Sequence, residues 1–127
     1  MDNVNAPQAP MEQLDPQDVQ QNKVMAILAY FGILVLIPIF AAPNSKFARY
    51  HANQGLILFL AYICCYVVMH IAVRMLYSVS TALTGLITLV VGIAYIVLLV
   101  FAIIGIINAA QGKCKPLPLI GGFQLLK

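Results

Sequence analysis

Residues 75–112 read MLYSVSTALTGLITLVVGIAYIVLLVFAIIGIINAAQG, 38 positions without an Asp, Glu, Lys or Arg. As one straight helix this run would measure about 57 Å, whereas the hydrocarbon core of a bilayer is about 30 Å thick. Two crossings would need about 40 residues plus a turn. The residues that discourage a helix gather early, in Tyr77-Ser78-Val79-Ser80-Thr81, and nothing beyond Leu83 stops one before Gly112. The run therefore reads as a connection at 74–82 and one span at about 83–108.

Two shorter charge-free runs precede it, 24–45 with 22 residues and 50–73 with 24, each long enough for one crossing. Pro38 removes a backbone donor near the end of the first, where a kink or an early exit is expected. Pro43-Asn44-Ser45 is a turn cluster that stops it. Arg74 closes the second and can snorkel to the interface. The spans are expected at about 24–41, 52–73 and 83–108. They read as helices because the runs lack the apolar/polar alternation of barrel strands. The fold class is an all-α membrane protein, with three transmembrane helices in a small bundle over residues 23–112.

Composition agrees. Hydrophobic residues make up 62% of the 127 positions and charged residues 9%, far below the roughly 25% of a soluble domain. The mean hydropathy is +0.93. A chain this short could not hide so much apolar surface in a core of its own, so the lipid bilayer is the expected partner of much of its surface.

The net charge of +3 conceals a split. Asp2, Glu12, Asp15 and Asp18 all precede Lys23, and every Lys and Arg lies from Lys23 onward. These bases bracket the spans, where anionic headgroups would meet them. A clustered basic face with a recognition motif is missing, so nucleic acid is not expected as a partner. Residues 1–22 are rich in Pro, Gln, Asn and Asp and read as a disordered acidic tail, with a short helical turn conceivable at 13–21. The opening does not follow the basic-then-apolar plan of a signal peptide. Residues 113–127 form a basic and apolar tail, too short to span and suited to the interface.

Lys and Arg in the loops set orientation. With three spans, the first connection and the C-tail share a side holding five bases, against two on the other (Lys23 and Arg74). This places the C-terminus in the cytoplasm and the N-terminus outside.

Two groups of residues could carry a role. Thr81, Gly85, Thr88 and Gly92 share one helical face, and Ala102, Gly105, Ala109 and Gly112 repeat the pattern. Such small faces let helices approach closely. They serve either a homo-oligomer contact or packing within the bundle, and packing is the simpler reading because three helices must meet somewhere. His51, Asn53 and Gln54 open the second span, while Asn108 and Gln111 close the third on the same side. They suit a polar patch for a partner or a headgroup, or equally the hydrogen bonding that helix ends need.

His70 lies near Arg74, yet no acid follows Asp18, so a proton relay lacks its partner and an interfacial hydrogen bond is the plainer role. Cys64 and Cys65 are adjacent and diverge on a helix, and Cys114 stands alone, so no zinc spacing arises. Paired carboxylates, a Ser/His/Asp set, a phosphate-binding glycine loop and a His-x-x-x-His are all missing. No catalytic residue, cofactor or metal is expected, and the chain reads as a non-enzyme.

The stretch Phe47-Ala48-Arg49-Tyr50-His51-Ala52-Asn53-Gln54-Gly55-Leu56 and the exit Asn108-Ala109-Ala110-Gln111-Gly112, followed by Pro116-Leu117, resemble hallmark sequences of a family of small bacterial membrane proteins. That family is similar to the Tic-type import component of the chloroplast inner envelope and includes magnetosome membrane proteins of the MamF kind. The resemblance covers about residues 23–120. It implies a multi-pass protein of the bacterial plasma membrane. The chloroplast relatives imply four spans and a place in an import complex; the MamF kind implies self-association in specialised membranes. The expected role is therefore association, with itself or as an accessory subunit of a membrane complex. The alternatives are a transport or protein-import component and an immunity or stress protein acting against a bacteriocin-type toxin.

Overall fold

The computed structural model describes residues 14–115. Within them lie four α-helices and one 3-10 turn: α1 (Pro16–Leu28), the 3-10 turn (Gly32–Val35), α2 (Leu36–Ala41), α3 (Lys46–Leu76) and α4 (Thr81–Ala110). The C-tail beyond residue 115 and the tail before residue 14, with the expectations placed on them, lie outside the described residues.

The long helices form an antiparallel hairpin. Ser45 caps α3 by accepting from the Ala48 N–H at 3.0 Å, and Ser80 caps α4 by accepting from the Leu83 N–H at 3.3 Å. Each hydroxyl satisfies one of the donors that a helix start leaves open. The connection is tighter than the expected 74–82. It occupies only residues 77–80 and is closed by Ser80 N–H to the Leu76 carbonyl at 2.8 Å. At its far end α4 stops on Gly112, whose φ of +73° is the left-handed conformation that ends many helices. The Lys113 N–H then closes back on the Asn108 carbonyl at 2.8 Å.

With 31 and 30 residues, α3 and α4 each measure about 45 Å, and both are apolar enough to cross a membrane. Their outer faces carry exposed Val68, Ile71, Leu86, Leu89 and Ile96. The expected spans 52–73 and 83–108 fall inside these two helices.

The expected first span, 24–41, is not a continuous helix. α1 ends at Leu28, and the chain tightens through Tyr30 N–H to Ile27 O and Phe31 N–H to Leu28 O, both at 3.2 Å. It then reverses at Gly32, where φ is +61°. The break thus falls at the glycine rather than at Pro38. Pro38 is the third residue of α2, in the first turn, where a missing N–H costs little.

Both ends of this segment lie at the same end of the hairpin. The Asp18 carboxylate accepts the Phe47 N–H at 3.3 Å, while Gly32 lies near Phe59. Phe59 is 13 residues past Lys46, about 20 Å along α3. Residues 16–41 therefore fold back on themselves partway down the hairpin. The expected three-helix bundle, with the N-tail opposite the first connection, is replaced by two long helices and a folded-back segment.

The helix α1 also reaches into the stretch expected as a disordered tail. Asp15 caps it through the Gln17 N–H at 3.0 Å, and Pro16 opens its first turn. Asn22, at φ −114° and ψ 16°, kinks it and donates to the Asp18 carboxylate at 2.8 Å. Asp18 gives residues 16–22 a folded anchor because its negative charge is favourable at the N-terminus of α3.

Two glycines let the folded-back segment enter. A Cβ on Gly55 would overlap the Ala29 carbonyl, and one on Gly105 would overlap the Tyr30 ring. The core sits here, around Ala26, Ala29, Tyr30, Val35, Phe47 and Ala109.

Candidate functional site

The core at this end encloses a polar knot. His51 and Gln54 sit one turn apart on α3, with exposures of 0% and 1%. Such burial demands partners, because a polar group left unpaired away from water costs about 1–3 kcal/mol. The Tyr30 hydroxyl supplies one, at 2.7 Å from His51 Nδ1 and 3.1 Å from Gln54 Oε1. His51 Nε2 lies 2.8 Å from the Lys113 carbonyl. Gln54 Nε2 donates to the Tyr50 hydroxyl at 3.2 Å and to the Lys115 carbonyl at 3.4 Å.

The protons follow from this geometry. A carbonyl only accepts, so His51 Nε2 carries a proton toward Lys113. Tyr30 has one hydroxyl proton and faces Nδ1 on one side and Oε1 on the other. It serves Nδ1 when the imidazole is neutral and Oε1 when the ring is charged. Around the ring, Phe47, Tyr50 and Tyr30 stand edge-on, with centroids at 4.9, 5.5 and 5.7 Å. The knot thereby joins the folded-back segment, the start of α3 and the chain beyond α4.

Cys114 lies in the same joint, 4% exposed. Burial, and secondarily the charge of Asp18, push its thiol up from an ordinary 9.0 to about 12. The thiolate that would react or bind metal is thus disfavoured. Among the described residues no three His, Cys, Asp or Glu side chains gather to hold a metal ion.

Of the residues singled out in the sequence, His51 and Gln54 are brought together. Asn53 and Asn108 are buried at the same end, each 8% exposed, while Gln111 is exposed at the end of α4. His51 and Gln54 are used inside the fold, where their hydrogen bonds tie the chain to itself. Sequence reading missed Tyr30 and Tyr50. The available signal was Tyr30-Phe31-Gly32, a hydroxyl-bearing ring beside the one glycine of the first run.

The small-residue stripe divides. Gly105 and Ala109 are buried and pack within the molecule, and Ala102 is half-buried. Thr81, Gly85 and Thr88 are exposed, and Gly85 and Gly92 have open space around them. Thr88 satisfies its hydroxyl on the Thr84 carbonyl at 2.8 Å. His70 packs against Tyr66, with centroids at 4.3 Å and the rings tilted by 52°. Cys64 and Cys65 are free thiols.

The segment from the α1 kink to the chain beyond α4 is also the part that known proteins share. A model of the MamF/MmsF family, the magnetosome magnetite crystal formation protein family, matches residues 21–124. The chain belongs to this family. The magnetosome protein MamF of Paramagnetospirillum magneticum is 27% identical over 103 residues, covering 81% of this chain and 82% of that protein. The magnetosome protein MmsF of the same organism is 26% identical over 97 residues, covering 76% and 79%. No solved structure matches. The magnetosome side of the expected resemblance is shown; the chloroplast import side is not.

Proposed function

We propose that this chain is a non-enzymatic integral protein of a magnetosome-type membrane and takes part in magnetite crystal formation through association, with itself or with a larger membrane complex. The observation that carries this reading is the family match over residues 21–124, which takes in both long helices, most of the folded-back segment and the knot.

In this reading α3 and α4 cross the bilayer, and residues 16–41 enter and leave by one face. The break is buried by protein at Ala29 and Tyr30, as Gly55 and Gly105 allow, while the exposed turn beyond them satisfies the Phe31 and Leu34 N–H groups on the Leu28 and Phe31 carbonyls, both at 3.2 Å. The N-tail, the first connection and the chain beyond α4 then share one side. Among the described residues that side holds Lys23, Lys46, Arg49, Lys113 and Lys115, and the other holds Arg74. The excess of bases favours a cytoplasmic side for the knot end. The half of the hairpin beyond the folded-back segment, with Thr81, Gly85 and Thr88 exposed, is the surface left for association.

The test is complementation. Cells of Paramagnetospirillum magneticum lacking MamF and MmsF would express this chain, and magnetite crystals would be measured by electron microscopy. Recovery of crystal dimensions is expected. Normal amounts of the chain in the membrane with unchanged crystals would overturn the proposal. Cross-linking in the same membranes reports association, which Gly85→Leu with Gly92→Leu should weaken.

A further inference from the structure

The folded-back segment stops short of the far end and leaves a slot against the hairpin. Its cavity holds about 440 Å³. Tyr30, Gly55 and Leu58 form the inner wall, and Tyr62, Tyr95 and Leu99 the rim. No charged residue lines it. The rings of Tyr62 and Tyr95 stand 5.3 Å apart, centroid to centroid, at that rim. Leu58 is 7% exposed, whereas Tyr62 is 51% and Leu99 60% exposed, so the slot opens sideways.

We propose that this slot holds an acyl chain of an anionic phospholipid from the leaflet at the knot end. The inference rests on the membrane-embedded reading above.

Depth gives the first argument. Gly55 and Tyr62 lie nine and 16 residues past Lys46, which is about 14 and 24 Å along α3. An opening at that depth, below a basic headgroup level, meets hydrocarbon.

Size gives the second. From Gly55 to Tyr62 the slot runs about 10 Å. A slender flexible chain fits a slot that is this short and open along its side. A polar solute would find no ion partner along the walls.

Charge gives the third. Lys46 and Lys115 are exposed at the end above the slot, with Arg49 and Lys113 half-buried beside them. The acids at that end among the described residues are Asp15 and Asp18, and the Asp18 carboxylate is held by the Phe47 N–H. The excess of bases favours an anionic headgroup.

The chain contains no Trp, so one can be placed as a reporter. Full-length Phe59→Trp, on the slot wall, and Val68→Trp, on the bare face of α3, would be reconstituted in phosphatidylcholine vesicles. A minority of phosphatidylglycerol would carry bromine on its acyl chains; a matched set would carry brominated phosphatidylcholine instead. Trp at 59 should be quenched by brominated phosphatidylglycerol with a preference of roughly tenfold over its bulk share. Trp at 68 should follow bulk composition. Filling the slot with Ala102→Leu, or with Leu99→Phe at its rim, should remove the preference while leaving helix content unchanged.

Equal quenching by the two lipids at position 59 overturns the proposal. So does a preference that survives both filling variants, or quenching at 68 with none at 59, the result expected if a second copy covers the slot. Absence of quenching at both positions would instead overturn the membrane-embedded reading beneath it.

Discussion

Gly105 of α4 lies against the ring of Tyr30 so closely that a methyl group at 105 would overlap Cε1 and Cζ of that ring. The ring cannot swing aside freely, because its hydroxyl is held 2.7 Å from His51 Nδ1. Close packing and hydrogen bonding therefore fix the same side chain.

Gly105→Ala should destabilise the fold by about 1–3 kcal/mol, the usual cost of overpacking a filled site. Gly85→Ala, where nothing stands within 4 Å, should be neutral or gain about 0.5–1 kcal/mol from helix propensity. Unfolding midpoints in mixed micelles, followed by circular dichroism, compare the two. Equal effects would show that the Gly105 contact does not constrain the fold.

Tyr30→Phe leaves His51 Nδ1 and Gln54 Oε1 without their shared partner and should cost about 1–3 kcal/mol. His51→Phe should cost a similar amount by stranding the Lys113 carbonyl and removing one of the two partners of the Tyr30 hydroxyl. Because both changes break one network, the double variant should lose clearly less than the sum. Strict additivity in the same micelle assay would mean the knot is not a cooperative unit.

The two long helices were legible because charge-free length is a strong signal, and the caps at Ser45 and Ser80 refine it by only a few residues. The folded-back segment was not legible. Residues 24–41 have the length and apolarity of a crossing, and hydropathy does not register direction. What redirects the chain is one backbone angle at Gly32 and room at Gly55 and Gly105, which are contacts distant in sequence. The knot was half legible for a related reason. His51 and Gln54 stand out in an apolar helix, but Tyr30 joins them from 21 positions away only once the segment reverses. The stripe on α4 read as one surface because spacing alone does not tell which half a neighbour covers.

Cys114 gives a test based on pH. Its raised value means that the folded chain holds the thiol proton after the unfolded chain has lost it. The associated stability is complete below the ordinary value of 9.0 and is lost as pH rises through that value toward about 12. Near pH 8 the folded thiol should accordingly alkylate far more slowly than the same thiol in SDS. Cys64→Ala with Cys65→Ala isolates the signal, and maleimide labelling by mass spectrometry reads it. Equal rates in mild detergent and in SDS would contradict the buried joint.

The folded-back course makes a prediction about sidedness that three crossings do not share. Gln20 and Asn44 are both exposed and flank the segment, and Ser78 is exposed in the connection at the opposite end. With residues 16–41 entering and leaving by one face, Gln20→Cys and Asn44→Cys must label from the same side and Ser78→Cys from the other. Three crossings would pair Gln20 with Ser78 instead. The experiment uses a background without the native cysteines and a membrane-impermeant maleimide, applied to intact and to permeabilised cells. The charge excess at the knot end adds that Ser78→Cys alone should label before permeabilisation. Labelling of Gln20→Cys together with Ser78→Cys in intact cells would reinstate a crossing by residues 24–41. Labelling of Gln20→Cys and Asn44→Cys without Ser78→Cys would preserve the folded-back course and reverse only its orientation.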